Sequence, residues 1–324
     1  MKILFLTDNF YPEVNAPSKR TLEHSKQWIN LGHDVTVITG VPNFPKGKVF
    51  DGYKNKIYQS EIIEKIEVKR VWTFISANKG FFLRIIDYLS YMFSSMICGI
   101  AIKKHNVIIA TSPQFFSLIS GYIISVIKRT PLVIELRDLW PESIVTVGVL
   151  RKDSIIIFLL QKISLFVYKK SKLIICVTNS FKKDLVKMGV NKDKIKVVEN
   201  GFDLSKTVKT TKNISELEEK YNLKKENFII SFIGTIGMAH GLRIILKAAK
   251  KLDDVIFLIV GEGAEKSDLI LKAKENKVNN VIFVDNLGWQ DIVDINQLID
   301  CHLIHLIRNP EFEKVIPSKI FESM

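Results

Sequence analysis

Residues Gly234-Thr235-Ile236-Gly237-Met238-Ala239-His240-Gly241 follow an apolar run, Phe228 to Ile233, and precede a helical stretch. Glycines at such a turn let main-chain N–H groups approach an anion, and a helix start adds a favourable dipole. The chemistry this segment suits is the holding of a phosphate-bearing ligand. It is not a dinucleotide fingerprint, because no GxGxxG occurs and Gly261-Glu262-Gly263 lacks a third glycine. No GxxxxGK[ST] loop is present, which disfavours ordinary NTPase chemistry, and no Asp-x-Asp pair exists to hold a diphosphate through a metal. Other polar groups that could act at strand ends are Arg137-Asp138 and Arg308-Asn309. His302 and His305 lie three apart in a strand-like run, which points them to opposite faces and favours packing over metal ligation.

A scaffold must hold these groups. Strands are expected at Lys2 to Leu6, Asp34 to Ile38, Val68 to Val71, Val107 to Ala110, Leu132 to Leu136, Leu173 to Val177 and Lys196 to Val198. A second set begins at Phe228 to Ile233 and continues with Val255 to Val260, Val281 to Val284 and His302 to Ile307. Helical stretches lie between most of them, such as Ala16 to Leu31, which stops at Gly32. The alternation predicts an α/β fold with parallel sheets covered on both faces. Ligands of such sheets bind beyond the carboxyl ends of the strands, and here those ends are polar or glycine-rich. The polar stretch 207–226 reads as a linker between domains 1–206 and 227–324, and the two sheet edges are expected to make a cleft for a phosphate-bearing ligand and a second substrate.

A chain of 324 residues accommodates two domains, and 47% hydrophobic with 25% charged residues excludes a disordered or fibrous protein. The net charge of +13 fits an anionic partner. A nucleic acid is the poorest such partner, since the lysines are not interleaved with a base-reading motif. Cys98, Cys176 and Cys301 sit in apolar runs without CxxC spacing, so a reducing compartment is expected. The start of the chain is too short in apolar residues for a signal peptide and reads as a first strand. Ile85 to Ile102 has the length of a membrane span, but its serines and tyrosines favour a buried helix; Val107 to Ile127 reads as strand, turn and helix broken at Pro113. Apolar Ile155 to Val167 precedes a window, Tyr168 to Lys196, in which nine lysines face Asp184 and Asp193, the composition of a surface that leans on anionic lipid.

Five segments together carry a resemblance: Tyr11-Pro12, Gly32 to Ile38, Leu173 to Thr178, Lys196 to Asp203 and Phe257 to Gly263. In order and spacing they resemble the family 4 glycosyltransferases of the GT-B fold along essentially the whole chain. Asn43 to Gly47, Asp51-Gly52-Tyr53, Arg137 to Ser143 and Ile316 to Glu322 are similar to a subgroup of O-antigen and capsule enzymes that includes L-N-acetylfucosamine transferases. The resemblance implies two Rossmann-like domains and sugar transfer from a nucleotide diphosphate donor, a UDP-sugar, to a lipid-pyrophosphate-linked glycan. It further implies retention and neither metal nor cofactor, in an enzyme peripheral to the cytoplasmic face of a membrane with an anionic surface. A departing diphosphate needs cations and N–H donors where its charge develops. The donor-binding candidates are Gly234, Gly237, His240, Gly241, Glu262, Arg308, Ser318, Lys319 and Glu322, the last at the family's ribose-binding glutamate. Asp138 and Arg137 are the catalytic candidates, with Asp138 orienting or deprotonating the acceptor hydroxyl, and Asn15, Ser18 and Trp140 lie on the acceptor side.

The chain departs from the family pattern in places. Thr235 and His240 stand where many members carry arginine and lysine, so cationic help must come from elsewhere or from a protonated His240. Lys314 replaces the first glutamate of the family's spaced pair, and Arg137 stands where many have histidine. Met324 falls about two turns into a helix that has a start signal but no stop, so by the resemblance the second domain is incomplete. A nucleotide-sugar epimerase and a non-catalytic sugar-nucleotide-binding subunit are the alternatives; the first would isomerise donor alone, and the second would bind donor without turnover.

Overall fold

Runs of β-branched residues form the strands and polar or proline-bearing turns end them in the computed structural model, which describes residues 1–75, 81–141, 153–201, 210–224 and 226–323. The chain divides into two units, Met1–Glu199 and Asn200–Met324. In the first, the elements run β1 (Lys2–Leu6), α1 (Ala16–Asn30), β2 (Asp34–Thr39), β3 (Tyr58–Ile63), β4 (Ile66–Val71), α2 (Phe81–Ala101), β5 (Val107–Thr111), α3 (Phe116–Lys128), β6 (Leu132–Leu136), α4 (Ile155–Lys170), β7 (Leu173–Cys176), α5 (Asn179–Lys187) and β8 (Ile195–Val197). Their sheet has the order β3-β4-β2-β1-β5-β6-β7-β8, parallel except for β3. Residues 142–152, which include the end of the Arg137 to Ser143 motif, lie outside the described residues.

The hairpin of β3 and β4 was not expected from the sequence, which pointed only to Val68–Val71. β3 is an edge strand alternating between exposed and half-buried positions, so it lacks an apolar run. Its two-residue turn, Glu64-Lys65, takes positive φ at both positions (51° and 66°) without the Asn-Gly signal that such turns usually carry. The helix expected to be buried, α2, is only half so. Tyr91, Met92, Ser95 and Cys98 pack inward, with the Tyr91 hydroxyl donating to the Ile38 carbonyl (2.9 Å) and Ser95 paired with Ser120 (2.9 Å), while Phe93 and Ile97 are exposed. Among the described residues no helix is long and apolar enough to cross a membrane.

The second unit contains α6 (Ile214–Tyr221), β9 (Phe228–Ile233), α7 (Arg243–Ala249), β10 (Val255–Val260), α8 (Lys266–Glu275), β11 (Val281–Val284), α9 (Trp289–Ile295), β12 (Cys301–His302) and α10 (Lys319–Ser323). Its parallel sheet has the order β11-β10-β9-β12. Alternate strand residues feed two cores, Phe232, Phe257 and Ile259 on one face and Ile229, Leu258 and Val260 on the other, as a sheet covered on both sides requires. Helix α6, inside the stretch read as a linker, buries Leu217 and Tyr221 in the second of these cores; residues 202–209 and 225 are outside the described residues. The run expected to be strand through Ile307 leaves the ladder after His302. There the main chain turns to hydrogen-bond the loop after β9, through Ile307 N to the Ala239 carbonyl (2.9 Å).

Candidate functional site

In the first unit the polar groups gather at the carboxyl ends of β1, β5 and β6. Asn15 caps α1, its side chain accepting from Ser18 N (2.9 Å) and donating to Asn9 Oδ1 (3.0 Å), so Asn15 and Ser18 together fix the helix start beside the end of β1. One turn further on, Arg20 reaches Glu135 at the end of β6 (2.9 Å). Glu135 also accepts from Thr111 Oγ1 (2.7 Å) and Arg137 (3.1 Å), with His24 at 3.6 Å. Burial opposes its ionisation, but the Arg137 and Arg20 guanidinium groups outweigh it and hold the carboxyl at about 2. The Ser112 hydroxyl accepts from the main-chain N–H groups of Arg137 (2.8 Å) and Asp138 (3.3 Å), which sets the turn that presents Asp138. Burial raises the Asp138 carboxyl above the usual range, and Arg137 partly counters this. Trp140 is buried, stacked on Phe115 (5.8 Å, 11°) and edge-on to Tyr88 and Phe116, so it walls this turn with apolar surface.

Two features here were invisible in the sequence. Glu13, buried, accepts from Asn43 N and Phe44 N (2.8 Å each), and buried Arg70 ties Glu61 to the carbonyls of Gly40 (3.1 Å) and Tyr11 (2.6 Å) under the Tyr53 ring. The motifs around Asn43 and Tyr53 thus gain shape from distant charges. Burial pushes Glu13 up to about 7, against the pull of those two N–H bonds. Since the folded state holds this proton more tightly than the unfolded chain, the group's stabilising contribution is full below its ordinary value of 4.5 and is lost as pH rises through about 7. Glu13→Gln keeps both accepted bonds without the ionisation, so its melting temperature should fall less than wild type between about pH 5 and about pH 8. Parallel melting curves for the two proteins across that range would contradict this.

In the second unit Gly234 follows β9 with φ +135°, and Lys319, the first residue of α10, lays its side chain over it. A Cβ at Gly234 would stand 2.5 Å from Lys319 Cε, so the glycine makes room for the lysine. The ammonium lies 3.7 Å from the centre of the Phe232 ring, a close cation–π contact. Gly237 precedes a short turn over Met238–His240, and Gly241 (φ +54°) ends it. Glu262 bonds to the loop through its carbonyl, which accepts from Ile236 N (2.8 Å), while its carboxylate pairs with Lys266 (3.0 Å), which also reaches Asp285. Arg308 is exposed and follows Ile307, which pairs with the loop. Ser318 immediately precedes α10, and Glu322 belongs to that helix, with its side chain outside the described residues.

His240 does not supply the cation that the sequence left open. Its Nδ1 must donate to the His305 carbonyl (3.0 Å), and His305 Nδ1 donates to the His240 carbonyl (2.6 Å). Burial, and then the Lys319 charge, push the imidazole below its ordinary value, so it is neutral near pH 7. Of His240 and Lys319, the positive charge beside this loop therefore rests on Lys319. His302, by contrast, pairs with Ser231 (2.8 Å), so the two histidines have separate structural partners. The structure thus brings Gly234, His240 and Lys319 together, with Glu262 bonded to the same loop, and joins Arg137 with Asp138 around Ser112. Sequence reasoning missed Arg20, His24 and Glu135. The available signal was an acid in the apolar strand Leu132 to Leu136, where a parallel sheet tolerates none without a partner.

Comparison with known proteins adds to these observations. The Glycosyltransferase Family 4 model matches residues 18–206, and the Glycosyl transferases group 1 model matches residues 213–324. WcaI of Escherichia coli (strain K12), named as a colanic acid biosynthesis glycosyl transferase, is 24% identical over 332 residues, covering 99% of this chain and 80% of its own length. The crystal structure of Anabaena Alr3699/HepE in complex with UDP-glucose aligns with a TM-score of 0.62 and 16% identity, over 93% of this chain and 73% of that one. WaaG, a glycosyltransferase involved in lipopolysaccharide biosynthesis, aligns with a TM-score of 0.64 and 13% identity, over 95% and 75%.

Proposed function

Because the chain belongs to glycosyltransferase family 4 and has the α/β architecture of the GT-B fold, we propose that it moves a sugar from a UDP-sugar to a lipid-pyrophosphate-linked glycan in surface polysaccharide biosynthesis. The reading extends to the O-antigen and capsule subgroup, with an N-acetylated deoxyhexosamine as the sugar. The observation that carries it is the Lys319 ammonium fixed over Gly234, beside a glycine-rich strand-to-helix turn. A preorganised cation and main-chain N–H donors are what a departing diphosphate requires, and they need no divalent ion. Support for UDP comes from HepE, whose crystal structure holds UDP-glucose. Asp138 acts on the acceptor hydroxyl, in surroundings kept partly dry by the Trp140 cluster. Transfer proceeds with retention at the anomeric carbon.

A lipid-linked acceptor puts the enzyme at a membrane face, which the surface of α4 supports. Ile155 (76% exposed), Ile156, Phe158, Leu159 and Phe166 are exposed along it, Lys162 lies over the Phe158 ring, the helix contains no acid, and the lysine-rich window follows. The experiment is a screen of UDP-sugars against lipid-pyrophosphate-linked acceptors in anionic vesicles with EDTA present, the product's anomeric configuration being read by NMR. Expected is one donor transferred with retention despite EDTA. No transfer from any donor, strict dependence on a divalent ion, or an inverted product would each overturn the corresponding part of the reading.

A further inference from the structure

The charge arrangement behind Asp138 is more elaborate than a folded sheet edge requires. Glu135 is 4% exposed, yet it receives Arg20 from α1 and Arg137 from its own loop, together with the Thr111 hydroxyl from β5. His24 of α1 faces it too, but burial lowers that imidazole, leaving it neutral near pH 7, although the charges of Glu135 and Glu23 oppose this. Two cations thus converge on one buried carboxylate. Asp138 is the next residue after Arg137 and the other carboxylate whose charge acts on it. Both main-chain N–H groups are pinned to the same hydroxyl, that of Ser112, so the two side chains leave one fixed point of the chain. The Arg137 guanidinium nevertheless bonds to Glu135 Oε2, and no hydrogen bond to the Asp138 carboxylate is present among the described residues.

Resting on the reading of Asp138 as the group that meets the acceptor hydroxyl, we propose that Glu135 is a positioning residue: it holds the Arg137 guanidinium away from Asp138 and so keeps that carboxylate uncommitted. Without the Glu135 charge, the half-buried Arg137 guanidinium would lose the carboxylate it bonds to and would turn to its neighbouring acid. An Asp138 paired in that way loses basicity and no longer presents free oxygens to the acceptor. Arg20 contributes by sharing Glu135 from α1, which joins the helix start near Asn15 to the same network.

The test is the pH dependence of kcat/KM for the acceptor in four proteins: wild type, Glu135→Gln, Arg137→Gln and Asp138→Asn. Glu135→Gln should move the acid limb to lower pH and reduce kcat by roughly tenfold or more, while Arg137→Gln should move the limb to higher pH. Glu135→Asp, which keeps the charge, should return the limb toward wild type. If Glu135→Gln does not fold, Arg20→Gln combined with Glu135→Gln removes one cation with the anion and should still show the downward shift. Acid limbs at the wild-type pH in the folded Glu135 and Arg137 variants would overturn the proposal. An unchanged limb in Asp138→Asn would instead remove Asp138 itself from the reaction, which distinguishes failure of the underlying reading from failure of this inference.

Discussion

Lys319→Met should lower kcat/KM for the sugar donor by roughly 10²- to 10³-fold, the loss expected when one preorganised group that stabilises developing charge is removed. Its ammonium is held on the Phe232 ring and over Gly234. Negative charge grows on the diphosphate as the sugar leaves, so an immobile cation contributes more in the transition state than in the ground state. Two features concentrate this role on Lys319: His240 is neutral near pH 7, and Arg308 is exposed. Methionine preserves an unbranched stem against Phe232, so the melting temperature should change little while kcat collapses. Kinetics and a thermal melt on the same preparation separate the two effects. Undiminished turnover in a folded Lys319→Met protein would take Lys319 out of the chemistry.

The largest stability effect is expected at Gly261, at the end of β10. Its φ is +141°, outside what a side chain tolerates, and an added Cβ would run into the Gly234 carbonyl, a main-chain group that cannot swing aside. Strain of this kind costs ~1–3 kcal/mol, and overpacking against backbone adds a comparable amount. Gly261→Ala should therefore lose on the order of 3 kcal/mol or more and melt several degrees lower. Because the group it displaces belongs to Gly234, donor binding should weaken as well, at temperatures where the protein is still folded. A variant with wild-type melting and donor affinity would show that the two strand ends are not locked together. The contrast with Lys319→Met is informative, since one change removes charge without disturbing packing and the other disturbs packing without removing charge.

The parallel sheets were legible because their strands are covered on both faces, which leaves continuous apolar runs such as Val255–Val260 and Val281–Val284. The edge strand Tyr58–Ile63 carried no such run, and its turn used Glu64-Lys65 in place of glycine or asparagine. Strand length failed at His302, because tertiary bonds between His240 and His305 drew the chain off the ladder, and nothing local announces them. Site residues divide in the same way. Gly234 and Lys319 follow from a glycine turn and a helix start, local patterns with a physical meaning. The Arg20–Glu135 pair joins residues 115 positions apart, and Glu13 finds its amide partners some 30 residues away. Charges that pair across such distances leave only an indirect trace, an acid or a base where the pattern calls for an apolar residue.

On the proposed reading, the second unit grips a nucleotide diphosphate through main-chain amides of the loop after β9 and through Lys319, without a divalent ion. A crystal structure of the protein with UDP, grown in EDTA, tests it most directly. Pyrophosphate oxygens are expected within about 3 Å of loop amides between Gly234 and Gly241 and of Lys319 Nζ. A diphosphate lying away from that loop, or one that binds only when a divalent ion is restored, would contradict it.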